Sequence, residues 1–284
     1  MSIWTGGGFG AASACVLAPN PSIMTLDGTN TWILRPTTEG PAYVVDPGPL
    51  DEGHLAAVAE AAGAVRGVLL THGHADHSDG ARAFAERVGC GVRALDPQHR
   101  LGSEGLSEGD VLELGGWEIR VVATPGHTSD SLSFLLPAER AVLTGDTVLG
   151  RGTTVVAHPD GQLGAYLDSL DRLHALAAEH TAETIWPGHG PVIDDALATL
   201  DYYIAHRHER LDQVREALRE LAPGSPSYDD LVARDALARA VVEKVYVDVD
   251  PVLWGAAELS VRAQLAYLTR LVESSSAPRE GKSP

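Results

Sequence analysis

The feature that most constrains this chain is a dense run of ligand-type side chains directly after a short apolar segment. Val68-Leu69-Leu70 leads into Thr71-His72-Gly73-His74-Ala75-Asp76-His77, so three histidines and one aspartate fall within six residues. Neutral imidazole and carboxylate groups are both good ligands for zinc. A packing role is disfavoured, because four neighbouring polar groups would cost too much in a core if they were unpaired. The run therefore predicts a metal site in a tight loop at the end of a β-strand.

Three more ligand-type residues follow β-like runs further along the chain, each beside a glycine. They are His127 in Thr124-Pro125-Gly126-His127-Thr128, Asp146 in Thr144-Gly145-Asp146-Thr147, and His189 in Trp186-Pro187-Gly188-His189-Gly190. Glycine allows the backbone angles that such turns need. Each of the three is a weak signal alone, since a single histidine after a strand is more often structural. Together with the first run they give seven candidate ligands, enough for two metal ions.

These motifs, in this order, resemble the metallo-β-lactamase superfamily over residues 15 to about 195. The resemblance implies an α/β fold, a four-layer αβ/βα sandwich with a binuclear metal site at one edge. It implies two zinc ions per chain, with His72, His74 and His127 holding the first, Asp76, His77 and His189 holding the second, and Asp146 bridging both. It also implies that Asp46, in Val44-Val45-Asp46-Pro47-Gly48, supports the ligand loop; the alternative is an ordinary turn aspartate before Pro-Gly.

Three further segments are similar to the beta-lactamase-like protein 2 group within that superfamily: residues 20–32, 149–155 and 202–207, with Arg210 beyond. The animal member is an endoribonuclease acting on single-stranded RNA, and relatives are thioesterases acting on polyketide carriers. The resemblance implies a hydrolase that cleaves an ester-type bond with a metal-bridging hydroxide, and Asp76 is the candidate to handle a proton. We expect Asn30 and Thr154, which lie in two of these segments, to support the site or face the substrate.

One position departs from a pattern common among thioester-cleaving members of the superfamily. Many of them follow the histidine with Thr-x-Gly-Ser, whereas this chain reads Thr128-Ser129-Asp130-Ser131 and lacks the glycine.

The charge balance bears on the choice of substrate. The 284 residues carry a formal net charge of −18, which repels polyanions at long range, and no basic stripe of the kind that nucleic-acid-binding proteins carry is evident. The arginines of residues 207–219 alternate with acidic residues, the pattern of a solvated helix face. The charge thus favours a small or carrier-bound thioester, while the resemblance favours single-stranded RNA, and both stay open.

The sequence also bears on the compartment. Its two cysteines, Cys15 and Cys90, are too few for a disulfide framework, and we expect both to be small buried side chains. The N-terminus has neither a basic start nor a long apolar stretch, and no run approaches the length of a membrane span. We therefore expect a cytoplasmic protein without a membrane partner, which weighs against a secreted β-lactamase.

Alternating short strands and helices predict a catalytic domain over residues 1–222. Periodicity and capping residues predict helices at 51–62, 78–88, 163–178 and 194–221, with Asp51 as an N-cap, and a hairpin around Gly115-Gly116. The long helix (194–222) joins a tail domain. Pro223-Gly224-Ser225-Pro226 breaks it, and helices at 227–246 and 258–271 then predict a winged-helix-like region over 223–274. Residues 275–284 are predicted to be disordered. The tail is equally compatible with dimerisation, so a homodimer is an expectation.

Arg207 occupies a position of the long helix where an apolar residue is expected. One interpretation is a side chain whose stem packs while its charged head reaches water. The other is that Arg207 or His206 borders the substrate cleft. Taken singly, the histidines outside the metal motifs are expected at the surface: His54, His99, His158, His174, His180, His206 and His208.

Several rival functions stay open. A thioesterase similar to hydroxyacylglutathione hydrolase is the main alternative. Diiron oxidoreductases of the same fold resemble His-x-Glu-x-Asp-His at the first motif, whereas position 74 here is histidine, which favours zinc. A non-catalytic zinc protein is disfavoured, since a structural site closes with four ligands and leaves no open position.

Overall fold

The structure, a computed structural model, describes residues 4–221 and 235–276. Two mixed β-sheets face each other. The six-stranded sheet has the spatial order β1 to β6: β1 (Gly7–Phe9), β2 (Ser13–Leu17), β3 (Asn30–Leu34), β4 (Ala42–Val45), β5 (Val65–Leu69) and β6 (Val92–Arg93). The five-stranded sheet has the order β11-β10-β9-β8-β7: β7 (Val111–Leu114), β8 (Trp117–Ala123), β9 (Leu132–Leu136), β10 (Ala141–Gly145) and β11 (Thr184–Pro187).

Helices lie outside both sheets. They are α1 (Glu52–Ala62), α2 (Ala75–Ser78), α3 (Ala81–Val88), α4 (Leu163–Glu179), α5 (Ala196–Leu221), α6 (Asp235–Val245) and α7 (Trp254–Ser276). None of the described helices is long and apolar enough to cross a membrane.

Alternation along the strands divides the core into layers, because successive side chains of a strand point to opposite faces. Val45 and Leu143 pack between the two sheets, where the rings of Trp32 and Trp186 stack with centroids 4.9 Å apart. Val44 instead packs outward against α1 and α3, and Val142 packs outward against α4 and α5. The order helix, sheet, sheet, helix is the αβ/βα sandwich that the sequence predicted.

The C-terminal helices pack on the outer helical layer. Val241 of α6 and Leu265 of α7 share one buried cluster with Leu211 of α5 and Leu167 of α4. The predicted domain boundary near 222 falls outside the described residues, as does most of the predicted disordered tail. The described part of the tail, residues 235–276, contains helices and no strand, and its winged-helix-like character stays a prediction.

Most of the local predictions are confirmed. Asp51 caps α1, since its carboxylate accepts a hydrogen bond from His54 N at 2.7 Å. The predicted hairpin forms from β7 and β8 around Gly115-Gly116. The long helix begins at Ala196 rather than 194, because the carboxylate of Asp195 caps it by accepting from Ala198 N.

Two local predictions are wrong in detail, and one strand is missing from the predictions. The helix predicted over 78–88 begins only at Ala81, as α3, and Ser78 instead ends the short helix α2. The nitrogen of Gly80, between the two helices, donates to Gly48 O, and Gly80 lies too close to Pro49 O for a side chain. The last helix begins at Trp254, four residues early, because Asp250 initiates a 3-10 turn that leads directly into it, and it runs on to Ser276. Strand β1 was not predicted.

Candidate metal centre

The seven predicted ligands meet at one edge of the sandwich because each follows the end of a strand. The loop with His72, His74, Asp76 and His77 follows β5. His127 follows β8, Asp146 follows β10 directly, and His189 follows β11. Strand ends that point to one edge deliver their loops to a common place.

The first group consists of His72, His74 and His127. His72 Nε2 and His74 Nδ1 are 3.0 Å apart, and His74 Nδ1 and His127 Nε2 are 3.1 Å apart. His72 and His127 are buried, while His74 is exposed.

The second group consists of Asp76, His77 and His189. His189 Nε2 lies 3.2 Å from both Asp76 Oδ2 and His77 Nε2, and His77 Nε2 lies 3.5 Å from Asp76 Oδ2. Both imidazoles are buried, whereas the Asp76 side chain is 29% exposed. Asp76 is therefore the carboxylate of this group that solvent reaches.

Asp146 lies between the two groups. Its Oδ1 is 3.4 Å from His77 Nε2, and its Oδ2 is 3.3 Å from His189 Nε2 and 3.7 Å from His127 Nε2. One carboxylate thus contacts members of both sets.

The donor set fits a pair of divalent cations. Ligand atoms about 2.0–2.1 Å from a tetrahedral zinc ion are about 3.3–3.4 Å from one another, close to the spacings within each group. Asp146 Oδ1 is buried and accepts no hydrogen bond from any described residue, and a buried oxygen of this kind needs a partner. A cation between the facing nitrogens and oxygens would satisfy them together.

Electrostatics within the cluster favour ionised carboxylates. Burial alone would raise the pKa of Asp146, but His189 and His77 outweigh it and hold that pKa well below the ordinary value. The pKa of Asp76 is about 2, because its contact with His189 outweighs its burial. The pKa of His189 is raised to about 9 and that of His77 is also raised, since the carboxylates outweigh the desolvation of both rings. Ligand imidazoles must be neutral, so protons compete with the metal here.

Asp46 supports the ligand loop from beneath. Its Oδ1 accepts a hydrogen bond from Thr71 N at 2.8 Å, and its Oδ2 accepts one from Thr71 Oγ1 at 2.6 Å and lies 2.9 Å from His77 Nδ1. This contact directs the Nε2 atom of His77 toward the cluster. Thr71, which the sequence did not single out, completes the support.

Asn30 and Thr154 each hold one ligand loop. Asn30 is fully buried, and its Nδ2 donates to Pro187 O and Gly190 O on either side of His189. Thr154 Oγ1 lies 3.2 Å from His127 Nδ1, which also donates to Val155 O at 2.7 Å. Glycine at position 188 lets this loop pass close to the ligands, because a Cβ there would collide with Asp146 and His77.

His206 and Arg207 both line a cavity of about 380 Å³ that opens beside His127 and Asp146. Arg207 is only 6% exposed, its guanidinium lies over the ring of Tyr166, and its Nη2 donates to Thr154 O at 2.6 Å. The prediction that its charged head reaches water is therefore wrong. The prediction that Arg207 belongs to a solvated helix face is wrong as well. Packing of α5 against α4 encloses it.

The prediction of a surface position is wrong for His54. It is 4% exposed, and its Nε2 lies 2.9 Å from Thr31 Oγ1. His54 is the third residue of α1, and its side chain faces Thr31 of β3. No local pattern distinguishes it from the remaining non-cluster histidines, which are half-buried or exposed.

Comparison with known proteins decides the family. Residues 24–189 match the metallo-beta-lactamase superfamily. The chain belongs to this superfamily. Membership supports a hydrolase, and the cluster described above has the ligand types of the binuclear metal site that this superfamily carries.

Relatives extend the similarity beyond the matched region. A beta-lactamase-like protein 2 homolog from Caenorhabditis elegans is 31% identical over 251 residues, covering 82% of this chain and 76% of that protein. An atrochrysone carboxyl ACP thioesterase from Aspergillus fumigatus is 35% identical over 215 residues, 72% of this chain and 64% of that protein. A metallo-beta-lactamase family protein from Thermus thermophilus shares the fold at a TM-score of 0.70 and 23% identity, over 95% of this chain and 96% of that one.

Proposed function

We propose that this protein is a zinc-dependent thioesterase that hydrolyses a small or carrier-bound acyl thioester. The observation that carries the proposal is the cavity of about 380 Å³ beside the ligand cluster, whose walls include the apolar side chains of Met24, Leu26, Leu149 and Leu253. Mostly apolar pockets with a few placed polar groups are typical of small-molecule sites. The name of the Aspergillus fumigatus relative supports the same chemistry.

The residues of the cluster have distinct proposed roles. When bound, a pair of divalent cations lowers the pKa of water to about 7 and polarises a carbonyl oxygen. The five histidines of the cluster, together with Asp76 and Asp146, would hold the cations at the edge of the sandwich that borders the cavity. Asp76, solvent-accessible and with a low pKa, orients the attacking water by accepting its hydrogen bond and is the residue we assign to proton handling.

Zinc is proposed over iron because the set has five imidazoles against two carboxylates, with histidine at position 74. A thioester is proposed over RNA because the net charge of −18 opposes a polyanion. A cytoplasmic location and a homodimer remain proposals; the two cysteines are free, which fits a reducing compartment.

The proposal is tested with purified protein on acyl-N-acetylcysteamine thioesters, acyl-glutathione thioesters and single-stranded RNA, each with and without EDTA. We expect chelator-sensitive thioester hydrolysis and intact RNA. His127→Ala should abolish the activity, whereas His208→Ala, at an exposed position, should retain it. Chelator-sensitive RNA cleavage without thioester hydrolysis would contradict the proposal and support the nuclease. Bound iron in the purified protein would instead support the oxidoreductase.

A further inference from the structure

The cavity beside the metal centre has a charge opposite to that of the whole chain. Its lining contains three arginines, Arg151, Arg207 and Arg210, and one carboxylate, Asp146 of the ligand cluster. Arg151 is paired with Asp27 at 2.7 Å, so the cations that remain without an ion pair among the described residues are Arg207 and Arg210. The chain as a whole carries −18. Such a local reversal of charge in a concave site concentrates anions.

Arg207 is the unusual member of this set. Only 6% of this residue is exposed. Within residues 4–221 and 235–276, no carboxylate forms an ion pair with its guanidinium, and its Nε has no hydrogen-bond partner. Its described contacts are the hydrogen bond to Thr154 O and the face of Tyr166. A buried charge without a counter-ion is costly, and a guanidinium is well shaped to bind a carboxylate.

Neighbouring groups on α5 extend the positive field. Arg210, one turn further along, lies over the ring of Tyr246 and donates to Val245 O at 2.6 Å, so α6 holds it beside the cavity. His206, stacked on Tyr202, lines the same space. Burial, followed by the charges of Arg207 and Arg210, lowers the pKa of His206. The two arginines are therefore the fixed cations of this wall.

We propose that Arg207, assisted by Arg210, binds a carboxylate on the acyl group of the substrate. This inference rests on the proposed thioesterase function and narrows its substrates to thioesters of acids that carry a second negative charge. The location favours the acyl side. Arg207 lies at the inner wall, joined through Thr154 to His127, whereas a thiol or carrier leaves through the cavity mouth, where Ile23 and Met24 are exposed.

A pair of thioesters with matched carbon chains tests the preference. Succinyl- and butyryl-N-acetylcysteamine differ in the terminal carboxylate. We expect the wild type to favour the succinyl thioester by about tenfold in kcat/KM, since a charge-assisted contact is of that size. Arg207→Gln should lose this preference while still cleaving the butyryl thioester, and Arg219→Gln, exposed on the same helix, should keep it. A wild type without preference, or Arg207→Gln with an intact one, would overturn the inference.

Butyryl-glutathione tests whether the carboxylate that Arg207 binds belongs to the acyl group or to the thiol, because only its thiol portion carries carboxylates. An Arg207-dependent preference for this thioester over butyryl-N-acetylcysteamine would place the anion on the thiol and overturn the acyl-side assignment. If Arg207→Gln does not fold, as judged by circular dichroism, Arg210→Gln takes its place, with the preference expected to fall about threefold and an unchanged preference overturning the inference.

A binding measurement without turnover separates this inference from the proposed function. Calorimetry on the metal-loaded protein should show glutarate binding about tenfold tighter than butyrate, whose single carboxylate is a control for direct metal binding. Arg207→Gln should remove the difference. If glutarate binding depends on Arg207 but no thioester is hydrolysed, the carboxylate site would be supported and the proposed thioesterase function would be wrong. If thioesters are hydrolysed but glutarate binding does not depend on Arg207, the thioesterase function would be supported and the carboxylate site would be wrong. Tighter binding of inorganic phosphate than of glutarate would also contradict a carboxylate site.

Discussion

At the residue scale, Asp46 shows how a side chain beneath the cluster can determine metal affinity. Its carboxylate accepts from Thr71 N and Thr71 Oγ1 and faces His77 Nδ1. Asp46→Asn replaces one acceptor oxygen with a donor, so His77 loses its fixed orientation. We expect metal affinity to fall about 10- to 100-fold, measured by chelator competition. Asp171→Asn, exposed on α4, is the matched control, and an unchanged affinity in Asp46→Asn would refute this role.

His54 gives a residue-scale prediction about pH. Burial lowers its pKa, outweighing the charge of Asp51. Because the folded pKa is below the unfolded value of about 6.5, neutral His54 contributes stability that is present above that value and is lost as the pH falls through the folded pKa. His54→Gln cannot take up the proton. Urea unfolding should therefore show a smaller decrease in the free energy of unfolding between pH 7 and pH 5 for His54→Gln than for the wild type.

The exposed His208→Gln serves as the control for that experiment and should follow the wild type. Parallel pH dependences for the wild type and His54→Gln would contradict the buried, neutral state of His54.

At the element scale, the C-terminal helices stabilise the sandwich because they share a buried cluster with its outer helices. Leu265 of α7 is fully buried in the cluster shared with α4, α5 and α6. Leu265→Ala should lower the free energy of unfolding by about 2–5 kcal/mol, whereas Leu259→Ala on the same helix, 36% exposed, should change it by about 0.5 kcal/mol or less. Equal effects in denaturant titrations would mean that α7 does not pack as described.

The elements also show what the sequence can and cannot reveal. The position of every ligand loop followed from an apolar run that ends beside glycine, a signal contained within about ten residues. The burial of Arg207 could not be predicted from a local signal, because it depends on α4 beneath the side chain and on segment 149–155 beside it. The cavity likewise needs Leu253 and Ser260, about fifty residues beyond Arg207. Periodicity along one helix carries no information about such packing.

At the scale of the whole molecule, the surface charge selects against polyanions. A net charge of −18 repels a phosphate backbone, and nonspecific RNA binding depends on released counterions around lysine and arginine. Filter binding at 50 mM salt should show no saturable binding of a single-stranded RNA up to about 10 µM. Tight binding that weakens steeply with added salt would reveal a basic surface that the charge balance does not predict.

At the same scale, we propose that seven side chains from four strand ends hold two divalent cations. Metal content per chain, measured by inductively coupled plasma mass spectrometry on protein purified without added metal, tests this most directly. We predict two zinc ions for the wild type and about one for His127→Ala and for His189→Ala, since each variant removes a ligand from one group only. A wild type that retains no stoichiometric divalent metal, or variants that retain its full content, would contradict the account.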